Sequence, residues 1–412
     1  MKTSEFLITG IGIVSPSGIG KKVFWDSVLA GKDAISAIES FSTDKFSTNL
    51  AGEVKNFDPK AYLGPKGLRN LDRTTLFLLV AAKEALSDAK LEISDSNTDD
   101  VGVCTGTTFP HLSSIVEFDR EVITEGLPFS NPALFPSTVL NAASSQISIR
   151  YNIQGFNTTI STGYTSSLEA LKYSAVALET GKVKTILCGG AESLARSLFF
   201  GFHKLGYMAG IKGEALCCPY DKRRNGPILG EGTALFCLED DKSAKIRGAN
   251  IYARLRSIAN FFDGYRLGKI HPQGEGLEAA IRQALDDAGV NISDIDYICS
   301  CANSSKDLDK IEVKVLKNIF GKNLKDIPVS SPKSMFGETI SASGALQIAT
   351  SIAIMEKGIV APTINYKEKD PDCDIDCVPN KVQKREVRLA LITSSGPGGY
   401  NGACILEKYN NK

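Results

Sequence analysis

The feature that most constrains the fold of this chain is an internal repeat. The stretch ALSDAKLEISD at 85–95 returns as ALDDAGVNISD at 284–294, and a short apolar strand pattern follows each copy. A second pair occurs in the same order, SSLEALKYSAVALETGKV at 166–183 and SGALQIATSIAIMEKGIV at 343–360, and both end in Glu-x-Gly-x-Val. Two echoes in one order are hard to attribute to chance similarity between amphipathic helices, so the repeat indicates two similar halves.

The repeated unit has the order strand, helix, strand, helix, and this order predicts the fold class. Alternating strands and helices are typical of an α/β fold in which helices cover mixed or parallel sheets. Two such units with helices between them predict a layered αβαβα arrangement, one half at 1–250 and the other at 251–412. The helices at 166–179 and 343–356 carry few charges on any face, so both are predicted to be buried between the halves.

Length and charge exclude several classes of protein. The 412 residues allow two or three average domains or one large intertwined unit. Lys plus Arg and Asp plus Glu each number 47, and this balance argues against a general nucleic-acid binder. No apolar run reaches about 18 residues and the first residues lack a signal-peptide pattern, so we expect no membrane span and a cytoplasmic location.

The spacing of the cysteines does not indicate a metal site. Ten cysteines in a chain expected in the cytosol are predicted to be mostly reduced. Cys299 with Cys301, and Cys373 with Cys377, form two closely spaced pairs. Neither pair has the separation typical of zinc ligands, and the chain contains only three histidines, so we predict no metal site.

The stretch STGYTSSLEAL at 161–171 has the pattern of a functional site. A strand pattern precedes it, small residues form the turn, and a helix pattern follows. A side chain in such a bend lies at a helix N-terminus, where the helix dipole favours negative charge and lowers the pKa of a nucleophile. The residue at this place is Tyr164, whose side chain is bulky and has an ordinary pKa of about 10.

Five further segments occur in an order that carries a family resemblance. They are FLITGIGIVSPSG at 6–18, CPYDKRRNGPILGEGTALFCLED at 218–240, APTINY at 361–366, CDIDCVPN at 373–380 and SSGPGGYNG at 394–402. Each segment is weak evidence alone, but the ordered set resembles the β-ketoacyl synthases of the thiolase fold over nearly the whole chain. The resemblance implies two ketosynthase-like halves, the first with inserted dimer and cap segments.

In that family three side chains carry out the condensation, and their flanking residues locate the corresponding positions here. A cysteine carries the acyl chain as a thioester, and two histidines hold the malonyl thioester and stabilise its enolate. The cysteine position is Tyr164, the two histidine positions are Cys301 and Glu338, and the family's lysine is retained as Lys333. An ionised Glu338 would repel the negatively charged enolate. This repulsion is serious because electrostatic stabilisation is usually the largest catalytic contribution. We therefore expect no condensation by this chain alone.

The changed positions also have structural interpretations. Tyr164 is interpreted as filling a vacated site, in preference to a chemical role for its hydroxyl, because an empty cavity costs stability. Glu338 is predicted to pair with Lys333, five residues earlier. Cys301 is predicted to be inert, since a cysteine in a buried strand is seldom reactive.

The resemblance offers a role for an inactive copy. In type II polyketide synthases an active ketosynthase pairs with an inactive paralogue, the chain-length factor, which limits the length of the poly-β-keto chain. The matching stretch here is GTTFPHLSSIVEF at 106–118. It predicts that Phe109 forms part of the end of the tunnel, with an ordinary core aromatic as the alternative. The weaker candidates for the same tunnel are His111, Leu112, Ile115 and Val116.

The resemblance also implies partners. They are an active ketosynthase, in a heterodimer or a dimer of heterodimers, and an acyl carrier protein that delivers the malonyl-derived chain. No small-molecule cofactor is implied, and an aromatic polyketide is preferred to an aryl polyene as the product.

Two other functions stay open. One is an enzyme with relocated acyl-transfer chemistry, which needs a Ser–His or Cys–His pair that three histidines make hard to assemble. The other is a homodimeric thiolase-fold binding or scaffold protein, which is expected to purify alone as a soluble homodimer.

Overall fold

A computed structural model describes residues 6–129 and 131–410. The strands are β1 (Phe6–Ser15), β2 (Gly18–Ile19), β3 (Ser36–Ala37), β4 (Leu50–Ala51), β5 (Val101–Gly106), β6 (Asn157–Ile160), β7 (Thr185–Glu192), β8 (Gly232–Asp240), β9 (Ala253–Phe262), β10 (Tyr297–Cys299), β11 (Val329–Ser330), β12 (Ile359–Val360), β13 (Gln383–Lys384), β14 (Leu389–Ser395) and β15 (Tyr400–Lys408). The α-helices are α1 (Lys21–Leu29), α2 (Pro59–Leu63), α3 (Arg73–Ala89), α4 (Leu112–Glu125), α5 (Ala142–Tyr151), α6 (Ser166–Glu179), α7 (Arg196–Lys204), α8 (Asp241–Ile246), α9 (Glu275–Ala288), α10 (Lys306–Phe320), α11 (Lys333–Phe336) and α12 (Ser343–Lys357).

The main sheet contains the two predicted halves as equivalent sets of five strands. One half has the order β1-β8-β7-β5-β6 and the other has the order β9-β15-β14-β10-β11. In each set the first two pairings are antiparallel and the last two are parallel. The starts of β1 and β9 pair with each other, with Phe6 opposite Leu255, and join the two sets. The repeat in the sequence is therefore a repeat of topology.

The helices complete the predicted αβαβα layers. The α3 helix packs on β1 and β8, and α9 packs in the equivalent place on β9 and β15. The α6 and α12 helices contact each other and strands of both halves, so they form the layer between the halves. A Cβ on Gly344 would lie 2.8 Å from the Leu168 side chain, so the close approach of these two helices needs a residue without a side chain there.

The two central helices differ in burial. Residues 343–355 of α12 are all buried, as predicted. The α6 helix exposes Tyr173 by 52% and Val176 by 51%, so the prediction that it is buried on every face is wrong. The reason is that α6 also packs beside β6, the last strand of its half of the sheet. Within the described residues, no helix is both long and apolar enough to cross a lipid bilayer.

Candidate functional site

Tyr164 lies at the centre of the molecule, where a short turn connects β6 to α6. The turn spans 163–165, and the Ser394 hydroxyl donates a hydrogen bond of 2.9 Å to the backbone oxygen of Tyr164. The Tyr164 side chain is buried at 6% exposure. It packs in an apolar cluster, here called the Tyr164 cluster, with the other members Ala195, Leu198, Ile340, Phe109, Leu112 and Phe202.

The C-terminal loop at 396–399 is shaped to the Tyr164 ring. A Cβ on Gly396 would lie 2.4 Å from Cγ and from Cδ2 of that ring, closer than any real Cβ contact. The large side chain at 164 is therefore accommodated by the missing side chain at 396. Burial, and then the nearby Glu338, raise the pKa of the Tyr164 phenol well above its ordinary value, so it stays neutral.

A small cavity borders the Tyr164 ring. Its free volume is about 40 Å³, room for about three water molecules at about 10–15 Å³ each. The cavity is lined by Tyr164, Phe202, Tyr207, Pro227, Gly268, Lys269, Ile270, Asn303, Ser305, Asp307, Leu308 and Pro397. Among these described residues there is neither a cysteine nor a histidine.

Lys333 and Glu338 form an ion pair beside this site. The Lys333 Nζ lies 2.7 Å from Glu338 Oε2, and the two side chains are 1% and 0% exposed. Glu338 also accepts hydrogen bonds from the Asn303 amide at 2.9 Å, the Ile340 N–H at 3.0 Å and the Ser343 hydroxyl at 2.5 Å. The predicted pairing is confirmed, and both carboxylate oxygens have donors.

The charge on Lys333 is maintained by its partner. Burial lowers the pKa of the Lys333 ammonium, but attraction to Glu338, the hydrogen bond to Glu338 and contributions from Cys301 and Glu312 together outweigh burial and raise the pKa. Lys333 Nζ also donates to the backbone oxygen of Cys301 at 3.2 Å. A buried ion pair costs desolvation, and the additional hydrogen bonds of Lys333 and of both Glu338 oxygens offset part of this cost.

Cys301 and Asn303 have different surroundings. Cys301 is fully buried in the core of the second half and does not line the cavity, and burial raises the pKa of its thiol well above the ordinary value. Asn303 lines the cavity and contacts Glu338. Sequence reasoning missed Asn303, and the only signal for it was a polar residue shortly after the strand in CANSS.

The predicted tunnel residues separate into three places. Phe109 and Leu112 belong to the Tyr164 cluster, and the Phe109 ring lies edge-on to Phe202 with 6.5 Å between ring centroids. His111 is buried, and its Nδ1 lies 2.9 Å from Asp72 Oδ1.

The other two candidates lie further along α4. Ile115 is half-buried, whereas Val116 is 50% exposed and lines a surface groove with Phe46 and Phe200. The structure therefore brings Phe109 and Leu112 to Tyr164, and leaves Val116 outside that cluster.

A buried glutamate lies beneath the turn that carries Phe109, and sequence reasoning missed it. Glu192 accepts hydrogen bonds from the N–H groups of Thr108 at 3.2 Å and Phe109 at 3.1 Å, and from the Ser341 hydroxyl at 2.8 Å. Burial raises the pKa of Glu192 to about 7. An acidic residue ending the small and apolar run CGGAE at 188–192 was the available signal.

The remaining histidines, His203 and His271, do not form a catalytic pair with a nucleophile in the described chain. Ser47 Oγ lies 3.0 Å from His203 Nε2, but the Ser47 backbone N–H donates to the same nitrogen at 3.1 Å. That nitrogen is already an acceptor for the backbone, and no carboxylate pairs with His203 in the described chain. The pair therefore lacks the third group that orients a catalytic histidine. His271 packs against Tyr265 and is not among the residues that line the Tyr164 cavity.

The cysteines have no exposed thiol. All ten are free and buried, including Cys373 and Cys377. Over 6–129 and 131–410, no three Cys, His, Asp or Glu side chains come together in a group suited to a metal ion.

Known sequence families match the chain in two blocks. The family described as "Beta-ketoacyl synthase, N-terminal domain" matches residues 4–244, and "Beta-ketoacyl synthase, C-terminal domain" matches residues 252–367. The chain is 34% identical over 416 residues to 3-oxoacyl-[acyl-carrier-protein] synthase 2 of Staphylococcus aureus (strain N315). That similarity covers 99% of this chain and 99% of the relative.

Solved structures are similar over the same length. The ishigamide ketosynthase/chain length factor superposes with a TM-score of 0.93 at 29% identity, covering 99% of this chain and 100% of that one. A type II PKS acyl-carrier protein in complex with its ketosynthase bound to the hexaketide gives a TM-score of 0.91 at 28% identity, with coverage of 99% and 100%.

Proposed function

The chain belongs to the β-ketoacyl synthase family, and we propose that it is a condensation-inactive, chain-length-factor-like subunit. In this proposal it pairs with an active ketosynthase of a type II polyketide synthase. The pair holds the poly-β-keto chain delivered on an acyl carrier protein, and this chain contributes part of the tunnel. An aromatic polyketide is the preferred product class.

The observation that carries the proposal is the composition of the site around Tyr164. The neutral phenol of Tyr164 occupies the turn between β6 and α6, and the buried Lys333–Glu338 ion pair lies beside it. The cavity at this place has no thiol or imidazole among its described lining residues. In this family the thioester carrier is a thiol and the donors to the enolate are imidazoles, so the described lining lacks the groups that the family's condensation uses.

A surface suited to a partner supports the proposal. Large apolar side chains, here called the open face, are exposed on α5 and α6, which contact β6, and on the segment from α4 to α5; monomers seldom expose many large apolar side chains in one region. They are Ile123 at 81%, Leu127 at 72%, Phe129 at 74%, Phe135 at 60%, Val139 at 44%, Leu140 at 50%, Ile149 at 72%, Tyr173 at 52% and Val176 at 51%. In the described chain β6 pairs on one side only, with β5, so its other edge is also open.

The comparisons support the kind of assembly. Two similar structures are a ketosynthase/chain length factor and a ketosynthase complex with an acyl-carrier protein. The similar Staphylococcus aureus protein is named a synthase, but the absence of a cysteine and a histidine from the described lining of this cavity argues against transferring that activity.

The proposal is tested by co-expression with the ketosynthase encoded beside this gene, with a tag on that ketosynthase only. We expect a stable one-to-one complex in the eluate, measured by native mass. In that complex Phe109→Ala is expected to lengthen the product, because a smaller side chain at the end of the tunnel leaves the tunnel longer. Product mass is the measurement.

Two exposed apolar positions provide a matched control. Val176→Glu on the open face is expected to abolish co-elution, whereas Ile246→Glu is expected to leave it intact, since Ile246 is 77% exposed on α8. If the chain never co-elutes and purifies alone as a soluble homodimer, the proposal is wrong and the scaffold function is favoured. Acyl transfer from a thioester by the isolated chain would favour relocated chemistry instead.

A further inference from the structure

The turn that carries Phe109 is held on one side by Glu192. This residue ends β7 and is fully buried. Its carboxylate accepts hydrogen bonds from two successive backbone N–H groups, Thr108 at 3.2 Å and Phe109 at 3.1 Å. The Thr108 hydroxyl is 2.6 Å from the Ser341 hydroxyl, which itself donates to Glu192. The backbone at Phe109 is therefore fixed to a rigid strand end.

The same turn is held on the other side by His111. Its φ is +64°, in the left-handed region that residues other than glycine seldom adopt. Its Nδ1 lies 2.9 Å from Oδ1 of Asp72, and the side chains of His111 and Asp72 are 0% and 5% exposed. Asp72 caps α3 by accepting from the N–H groups of Thr74 and Thr75. The imidazole is therefore tied to the start of a 17-residue helix.

The Asp72 carboxylate is charged in its contact with His111. Burial by itself raises the pKa of Asp72, but His111 and the Thr75 N–H outweigh burial and lower it, so the carboxylate is charged. Left-handed backbone persists only where the surroundings over-determine it. A buried polar or charged contact is weak evidence for stability, and the best-supported use of such groups is to select one arrangement. The left-handed backbone and the buried Asp72 contact both occur at His111. Phe109 therefore lies in a turn that Glu192 holds on one side and His111 holds on the other.

We propose that Glu192, Asp72 and His111 are positioning residues that hold the Phe109 ring at one depth in the tunnel. The inference rests on the proposed function, because it takes Phe109 as the end of the tunnel. A ring held at one depth limits the growing chain at one main length. A ring that samples several depths releases a spread of lengths, including longer ones.

The test uses His111→Asn in the complex with the active ketosynthase. Asparagine tolerates the left-handed backbone but removes the imidazole that contacts Asp72. We expect the ratio of longer products to the main product to rise about threefold to tenfold, equivalent to about 0.7–1.4 kcal/mol of lost preference for one ring position. Asp72→Asn and the double variant are expected to match His111→Asn, because the pair acts as one unit.

A second readout observes the ring without using the products. 4-Fluorophenylalanine is placed at 109, and its ¹⁹F resonance is recorded in the complex. We expect one line in the parent protein and a broadened or split line in His111→Asn. Arg247→Gln is the control, because it breaks an ion pair with another buried carboxylate, Glu239, at a distant place and is expected to leave both readouts unchanged.

The outcomes separate the inference from the proposed function. If Phe109→Ala lengthens the product but the His111 and Asp72 variants change neither product ratio nor resonance, the positioning role is wrong and the proposed function stands. If Phe109→Ala leaves product length unchanged in an intact complex, the proposed function fails, and the ¹⁹F spectrum alone decides whether the pair holds the ring. Should His111→Asn not form a complex, Glu192→Gln is compared with Arg247→Gln by the same two readouts.

Discussion

The two halves of the molecule each contribute a region to the site around Tyr164. One region is held together by apolar packing and the other by a buried ion pair. In the first half the Tyr164 ring fills space by apolar packing, and Gly396 leaves room for it. In the second half Lys333 and Glu338 form a buried ion pair, and each carboxylate oxygen of Glu338 accepts hydrogen bonds.

This difference determines how each region responds to substitution. Apolar packing fails in proportion to the volume that is removed, so a ring without its hydroxyl is nearly as good as the intact side chain. A buried ion pair fails as a unit, because removal of one charge leaves the other without compensation. The two regions of the site therefore differ in their tolerance of substitution.

The largest effect is expected for Lys333→Met. Glu338 then stays buried without a counter-charge, and we expect a loss of about 3–5 kcal/mol in the free energy of unfolding. Urea unfolding measures this loss. The double variant with Glu338→Gln is expected to recover more than half of it, since no isolated charge remains. A loss below about 1 kcal/mol for the single variant would contradict the idea that Glu338 depends on the charge of Lys333.

The next effect is expected for Tyr164→Ala. Removal of a buried ring leaves a void that the packed cluster closes only partly, and we expect a loss of about 3 kcal/mol. Tyr173→Ala on the same helix is the control, because Tyr173 is 52% exposed and its loss is expected to stay within about 0.5 kcal/mol. Equal losses at the two positions would show that Tyr164 does not act by filling space.

A pH effect is expected from Glu192, whose donors in the described chain are neutral, in contrast to Glu338. Its pKa in the folded protein is about 7, above the ordinary 4.5, so between these values the native state binds a proton that the unfolded state releases. This group therefore lowers stability as pH rises from about 4.5 to about 7, by up to about 3 kcal/mol, and adds no slope above that range.

Glu192→Gln measures this contribution. The free energy of unfolding of the variant minus that of the parent is expected to rise by about 2–3 kcal/mol between pH 5 and pH 7.5, because the parent alone is penalised. A difference that is flat over this range would show that Glu192 does not titrate there.

The smallest effect is expected for Tyr164→Phe. The Tyr164 hydroxyl makes no hydrogen bond within the described residues, so its removal is expected to change the free energy of unfolding by less than about 0.5 kcal/mol. Product length in the complex is expected to stay unchanged as well. A large change in either measurement would assign the hydroxyl a role beyond packing.

Much of the fold was predictable because it is encoded locally and twice. Helix and strand patterns around the repeated stretches are read within windows of about 18 residues, and the echoes ordered them into equivalent halves. The exposed side of α6 was not predictable from its own sequence. Tyr173 and Val176 are as apolar as core residues, and only the position of the β6 edge leaves them uncovered.

The site divides in the same way. The sequence by itself identified the main side chains of the site, since the strand–turn–helix pattern indicates Tyr164 and the family resemblance locates Lys333 and Glu338, whose separation of five residues predicts their pairing. Tertiary structure alone placed Asn303 on the cavity and Cys301 off it, because side-chain direction after a strand depends on what packs against it. It also decided the contact of Phe109 with Glu192, 83 positions apart, and the fit of Tyr164 to Gly396. Such contacts depend on the way distant elements pack, and no local pattern in the chain records that packing.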